Sequence, residues 1–344
     1  MHIEALRHRL RALGARHVHE ERVLRQWSRA EPLARGKRRP EDFLPLALRT
    51  ALPALEAELR ALATLRADHR SADGSRRLLV GLADGRSVEA VLLPRGGLCV
   101  SSQVGCAVGC VFCMTGVGGL ERQLGSAEIV AQVALARSLR AVRKVVFMGM
   151  GEPAHNLDAV LEAIDLLGTG GGIGHKQLVF STVGDRRAFE RLPQGSVKPA
   201  LALSLHSTNP ALRARLLPRA PAITPDELVA LGDAYARATG YPMQVQWTLL
   251  DGINDSDDEI EGLVRLLTGR HAVLNLIPYN AVEGLAMTRP SAERSRAMAQ
   301  ELHRRGILTK LRQSAGQDVQ AGCGQLRSRH EGGAARRRSE IVAA

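Results

Sequence analysis

From about residue 97 the chain alternates short β-rich runs with amphipathic helices, and this alternation constrains the fold more than any other feature. Strands are expected at 98–102 (LCVSS), 144–148 (KVVFM), 176–180 (KQLVF), 200–205 (ALALSL), 243–249 (MQVQWTL), 272–277 (AVLNLI) and 307–311 (ILTKL). Helix starts are signalled between them by Ser126 ahead of Glu128, by Thr224-Pro225-Asp226-Glu227, and by Ser256 to Glu259. Each puts a small residue before an acid that can cap the first turn. Such an alternation buries a parallel sheet or barrel beneath helices. In these α/β folds functional residues gather at the carboxyl ends of the strands.

The flanking segments read differently. Residues 1–66 are expected to be a helical accessory domain, with helices at 3–14, 17–30 and 46–66 and a basic loop, ARGKRRP, between the last two. Residues 67–96 form a hairpin and linker, in which SRRLLVGL and RSVEAVLLP flank Ala83-Asp84-Gly85. Residues 97–326 are the α/β core. Residues 327–344, with Arg336-Arg337-Arg338, lack apolar periodicity and are expected to be a disordered basic tail. Glycine-rich GTGGGIG (168–174) follows a helix and precedes a strand, the wrong order for a dinucleotide-binding turn.

Lys and Arg outnumber Asp and Glu by 47 to 35, a formal charge of +12. That excess suits a polyanionic partner such as nucleic acid, and equally a genome that favours arginine. No apolar run approaches the roughly 20 residues of a membrane span, and the N-terminus lacks a signal-peptide core. A cytoplasmic protein is expected, in which clustered cysteines read as metal or redox chemistry.

Four of the five cysteines lie in LCVSSQVGCAVGCVFCMTG. Cys106, Cys110 and Cys113 offer three thiolates on a loop just after the first core strand. That ligand count suits a [4Fe-4S] cluster with one iron open to substrate. Structural zinc wants four ligands, usually as two pairs, and no second pair follows. The spacing resembles the radical S-adenosylmethionine (SAM) signature. KVVFMGMGEP places Gly149, Gly151 and Glu152 past the second strand, where backbone can approach a ligand and a carboxylate can accept from an ammonium. Ser181 and Thr182 end the third strand, Ser204, Leu205 and His206 the fourth, and Asn280 follows the sixth. A lone Ser or Asn at such a place also serves as a cap or turn former.

Taken with DGSRRLLVGLADGRSVEAVLLP, FSTVG, LALSLHSTN, TLLDGINDS, NLIPYN and GQDVQAGCGQL, these motifs resemble the RlmN/Cfr family of radical SAM RNA methyltransferases. The resemblance runs from about Asp68 to Leu326. It implies a partial (β/α)6 TIM-like radical SAM barrel holding a [4Fe-4S] cluster on Cys106, Cys110 and Cys113. SAM would lie against Gly151, Glu152, Ser181, Ser204, Leu205, His206 and Asn280. Two SAM molecules are implied per turnover. The first methylates Cys323, and the second yields a 5′-deoxyadenosyl radical that takes hydrogen from that methyl group. The methylene then adds to carbon 2 or 8 of an adenine in 23S ribosomal RNA or transfer RNA. Cys99 resolves the resulting crosslink through a transient disulfide with Cys323, and Glu89 is the implied proton acceptor. From pattern alone Glu89 reads as the polar position of an alternating strand, and His206 as a packed or capping histidine.

The resemblance further implies a one-electron donor such as flavodoxin or ferredoxin, and a monomer with no membrane partner. Residues 1–66 depart from the family pattern, RQWSRA being the nearest match, so the RNA target is left open. Two other readings stand beside this one: a radical SAM enzyme of another reaction class, and a zinc-stabilised RNA-binding protein without catalysis.

Overall fold

The computed structural model describes residues 1–282 and 284–327. Beyond Arg327, the tail expected to be disordered lies outside the described residues. The chain opens with four helices: α1 (Ile3–Ala12), α2 (His17–Ser28), α3 (Pro40–Phe43) and α4 (Leu46–Ala61). Their apolar faces join the same core as the barrel helices rather than a core of their own, through Leu6, Leu10, Leu24, Leu48, Leu55 and Leu59. Polar contacts fix the seam. Ile3 donates its N–H to Ser126 Oγ at 2.8 Å, Arg29 Nε to the Gly170 carbonyl at 2.8 Å, and Arg137 Nη1 to the Ser28 carbonyl at 2.7 Å.

Three antiparallel strands follow, β1 (Thr64–Arg70), β2 (Arg76–Gly81) and β3 (Ser87–Leu93), and then the first core strand, β4 (Gly97–Cys99). The helix expected over 46–66 therefore stops at Ala61. Thr64 to Arg70 instead pair with Gly81 to Arg76 along β2. TLRADHR is charged and mostly exposed, which is how an edge strand avoids further pairing, and it shows no apolar alternation to announce it. A second hairpin, β5 (Gln103–Gly105) with β6 (Leu120–Gln123), carries the cysteine loop and was also invisible to periodicity.

The remaining elements alternate as expected: α5 (Ser126–Leu139), β7 (Lys144–Phe147), α6 (Leu157–Gly168), β8 (Leu178–Thr182), α7 (Arg186–Arg191), β9 (Ala200–Ser204), α8 (Pro210–Leu216), α9 (Pro225–Thr239), β10 (Met243–Leu249), α10 (Asp257–Leu267), β11 (Ala272–Pro278), α11 (Ala292–Arg304) and β12 (Thr309–Leu311). Strands β4 and β7 to β12 run parallel in that order, and β1 to β3 extend the same ten-stranded sheet at the β4 edge. This is the partial-barrel α/β architecture.

Two of the helix starts differ from their sequence signals. Gly125, not Ser126, caps α5, and the Glu128 carboxylate accepts its N–H at 2.8 Å. Ser126 is occupied elsewhere, accepting from Ile3 and donating to Glu162. Ser256 caps α10, but Glu259 turns away from the cap and accepts from the hydroxyls of Ser207 and Thr208 and the Thr208 N–H. The Thr224 cap of α9 is as expected, and such a cap stabilises by about 1 kcal/mol.

Register decides what faces the barrel interior. Cys99, Val146, Val179 and Ala200 stand in one row of paired residues, and Ser204 pairs with Gln246, which pairs with Asn275. Alternation along each strand then puts Met148, Ser181, Thr248 and Ile277 on the same inner face. The segment after β12 crosses the open side of the barrel to the antiparallel strands. Gly316 donates to Asp73, Asp318 accepts from Ser71 and Ala72, and Arg77 donates to the Val319 carbonyl at 2.6 Å.

Candidate active site

A cavity with about 840 Å³ of open space lies at the carboxyl ends of the parallel strands. Its wall includes Cys106, Cys110, Cys113, Gly151, Glu152, Ser181, Ser204, His206 and Cys323. Residues chosen from five separate stretches of sequence thus meet around one space.

The cysteine loop owes its shape to the hairpin beneath it. Cys106 donates its N–H to the Gly119 carbonyl at 2.9 Å, and Cys113 donates to the Cys110 carbonyl at 3.1 Å. Gly105 has φ +76°, and a Cβ there would lie 2.0 Å from the Gly119 carbonyl oxygen. Only glycine fits that crossing. The loop is also tied to α8, where Val111 donates to the Leu216 carbonyl at 3.1 Å. Val108, Phe112, Val183, Leu216, Leu250 and Tyr279 pack around the thiols as a second apolar core.

In that setting burial raises the pKa of the Cys106 thiol to about 12. Cys110 is raised by burial and then by Cys113 and Cys106, so the thiolate form needs a bound cation. Three thiols on one apolar chamber match the ligand count of a [4Fe-4S] cluster with one iron open, whereas structural zinc takes four ligands.

Glu152 lies opposite. Its carboxylate accepts from the Ala154 N–H at 3.0 Å and the Val183 N–H at 2.9 Å, while its own N–H donates to Gln103 Oε1 at 2.7 Å. Burial outweighs these bonds and pushes its pKa up to about 7. A cation entering the cavity would bring the carboxylate back to its ionised form. Gly151, at φ +106°, makes the turn that brings Glu152 to the wall. His206 is also left-handed, at φ +63°; burial and then Arg213 lower its pKa to about 3, and Nδ1 accepts the Thr248 N–H at 3.0 Å. The imidazole is neutral, with its proton on Nε2.

Cys323 sits on the crossing segment. Met114 donates to the Gly324 carbonyl at 2.8 Å, Thr115 to the Leu326 carbonyl at 2.7 Å, and Asn280 Nδ2 to the Cys323 carbonyl at 3.0 Å. Cys323 is an exposed residue whose thiol borders the cavity, where lost solvation and then Cys113 raise it, while Arg312 pulls it back. Cys99 is raised by burial and by Cys323, which places these two thiols, far apart in sequence, within each other's field.

Several expected residues stand away from the cavity wall. Leu205 faces the outer core because strand alternation turns it from Ser204, and its backbone N–H is spent on the Gln246 carbonyl at 3.1 Å. Asn280 holds Cys323 and Ser314 and does not face the cavity. Glu89 is fully buried, paired with Arg77 and accepting the Arg327 N–H at 3.0 Å. Register nevertheless puts Glu89 on the same sheet face as Cys99, since Val91 pairs with Cys99.

Sequence reading missed Met148, Gln246, Thr248 and Ile277 on the wall, which only the register between strands could have revealed. It also missed Arg213, buried beside Val183 and Ser204, whose carbonyls accept from it. Burial lowers this guanidinium to about 10, and its Nε has no partner among the described residues.

A strand-end cavity with three thiols and a buried carboxylate defines the radical SAM class, and comparison agrees. Residues 100–267 match the Radical SAM superfamily, whose enzymes use a [4Fe-4S] cluster and SAM. A relative from Methylibium petroleiphilum named "Probable RNA methyltransferase" is 74% identical over 97% of this chain and 95% of its own. One from Aromatoleum aromaticum, with the same description, is 71% identical over 96% of this chain and 93% of its own. The crystal structure of a radical SAM methyltransferase from Sphaerobacter thermophilus superposes with a TM-score of 0.80 at 35% identity, covering 95% of this chain and 98% of that one. The chain belongs to this family of radical SAM methyltransferases.

Proposed function

We propose that this enzyme methylates RNA at a ring carbon of adenosine, carbon 2 before carbon 8, in 23S ribosomal RNA and transfer RNA, as a member of the RlmN/Cfr group. The observation that carries this reading is Cys323 on the wall of the cavity that the cluster cysteines line, with Cys99 on the inner face of the first core strand. A radical SAM enzyme of another reaction class has no use for that second pair of thiols.

When bound, the cluster and SAM supply a carbon-centred radical able to take hydrogen from an unactivated methyl group. Cys106, Cys110 and Cys113 would hold the cluster. Glu152 would receive the ammonium of SAM, with Gly151 letting the backbone approach and Ser181, Ser204 and His206 along the remaining wall. Cys323 carries the methyl group on sulfur and presents it to the base. The guanidinium of Arg312 favours the thiolate that must first accept that methyl group. Once the methylene has added, Glu89 takes the ring proton and the adduct gives up one electron, which the bound cluster would accept. The Cys99 thiolate then attacks the Cys323 sulfur, the bond from that sulfur to the methylene breaks, and the freed carbon is protonated to a methyl group, leaving a disulfide for an external thiol to reduce. Asn280 positions Cys323 through its carbonyl. An oxygen-sensitive centre and an RNA substrate suit the cytoplasm, with a small electron-transfer protein as reductant.

The test is incubation of the reconstituted enzyme, under anaerobic reducing conditions, with total ribosomal and transfer RNA from a strain lacking it and with methyl-deuterated SAM. Nucleoside mass spectrometry should find deuterated carbon-methylated adenosine. Label on a nitrogen or a ribose oxygen, or none in RNA, contradicts the reading.

A further inference from the structure

The open side of the barrel carries a charge pattern that the active site does not explain. Lys144 and Lys310 project from the inner face of β7 and β12, and Arg312 follows two residues beyond Lys310. The Arg312 N–H donates to the Leu276 carbonyl at 2.8 Å, which holds the start of the crossing segment beside β11. Lys310 and Arg312 lie close enough to Lys144 to add to the burial that lowers its pKa, and Arg312 also acts on the Cys323 thiol. Arg95 and Arg143 stand exposed at the foot of β4 and β7, where the Arg143 N–H donates to the Gly96 carbonyl at 2.8 Å.

None of these five cations forms an ion pair or side-chain hydrogen bond with an acid among the described residues. Elsewhere on the surface Arg is repeatedly matched with Asp or Glu, as in Arg9–Glu58, Arg76–Asp68, Arg122–Glu128 and Arg305–Glu261. Lys144 is half-buried and the other four are exposed; like charges gathered without acids repel one another, and an anion docked among them relieves that repulsion.

We propose that this lateral opening, lined by Lys144, Lys310 and Arg312 with Arg95 and Arg143 at its rim, is where the phosphate backbone of the substrate RNA rests while one nucleotide reaches past Arg312 to Cys323. The inference rests on the RNA-methylating reading and adds to it the side of the barrel from which RNA enters. Backbone phosphates suit this surface because every side chain in it is a cationic donor, the kind that holds phosphate oxygens. Release of counterions from the RNA then makes binding steeply salt-dependent.

The experiment compares the cluster-loaded enzyme with a Lys144→Gln/Lys310→Gln/Arg312→Gln variant and a charge-retaining Lys144→Arg/Lys310→Arg/Arg312→Lys variant. Binding of fluorescently labelled transfer RNA and of fragmented 23S ribosomal RNA is measured by anisotropy across a salt series. Iron content and SAM affinity verify that each variant is folded with its cavity intact. The neutral variant should bind at least tenfold more weakly, with a log–log salt slope shallower by about two, and the charge-retaining variant should match the parent. Equal affinity and slope in all three proteins, with the parent binding RNA well, would overturn this surface while leaving the RNA reading standing. If the parent itself binds neither RNA, the functional reading fails first. Unchanged RNA binding with slower cluster reduction by an acidic flavodoxin would assign the surface to the electron donor instead.

Discussion

A thiol buried beside another thiol resists ionisation twice, once for lost solvation and once for repulsion. Cys99, half-buried and acted on by Cys323, is in that position, whereas Cys323 is exposed and can reach a substrate. Such a pair suits stepwise chemistry, in which one sulfur is alkylated before the other must act. Cys99→Ala should therefore leave methylation of Cys323 intact while trapping RNA covalently on the enzyme. Denaturing gel electrophoresis of the purified variant checks this, and free RNA with full turnover would remove Cys99 from the scheme. At His206 the expected outcome concerns stability. Its folded pKa, about 3, lies below the ordinary 6.5, so its contribution is complete above pH 6.5 and is lost as pH falls toward 3. Asparagine tolerates the left-handed backbone and can accept the Thr248 N–H. Denaturant unfolding at pH 6.5 and 4.5 should show His206→Asn losing less stability than the parent, by up to roughly 3 kcal/mol.

At the scale of elements, two connections make the site: the β5–β6 hairpin that bears the three cysteines proposed to hold the cluster, and the crossing segment that bears Cys323. Adding a methyl group at Gly105 drives into the Gly119 carbonyl that anchors Cys106. Gly105→Ala should lower bound iron to under half of the parent's in reconstitution assays, with far-ultraviolet circular dichroism retained. Beneath the crossing segment, Arg77 is the cation of a buried pair with Glu89. Arg77→Leu should destabilise by about 3–5 kcal/mol in urea titration, and Arg77→Leu/Glu89→Leu should recover much of that loss. The parallel strands were legible because they are buried on both faces and rich in Val, Ile and Leu; β10 has the expected bounds, Met243 to Leu249. Strand β1 was not, because an exposed, charged edge leaves no periodic signal. The polar strand ends at Ser181, Ser204 and His206 could be read one at a time. Gln246, Thr248 and Arg213 could not, since what brings them to the site is pairing between strands and the packing of α8. Asn280 was recognised as important, yet its partner is the Cys323 carbonyl, a long-range contact that no local pattern encodes.

For the whole molecule, the ten-stranded sheet does two jobs. Its parallel part opens a cavity for cluster and SAM, and its antiparallel extension gives the C-terminal crossing segment a place to land. The N-terminal helices share the core of α5 and α6, so they brace that part of the barrel's helical layer. No helix among the described residues is long and apolar enough to cross a membrane. The central claim is that Cys323 is a methyl carrier, and the most direct measurement is the mass of the peptide containing it. Protein prepared anaerobically with its cluster and exposed to SAM and reductant, without RNA, should yield that peptide one methyl group heavier, with the methyl on sulfur. An unmodified Cys323 in protein that holds its full complement of iron and sulfide would contradict the account.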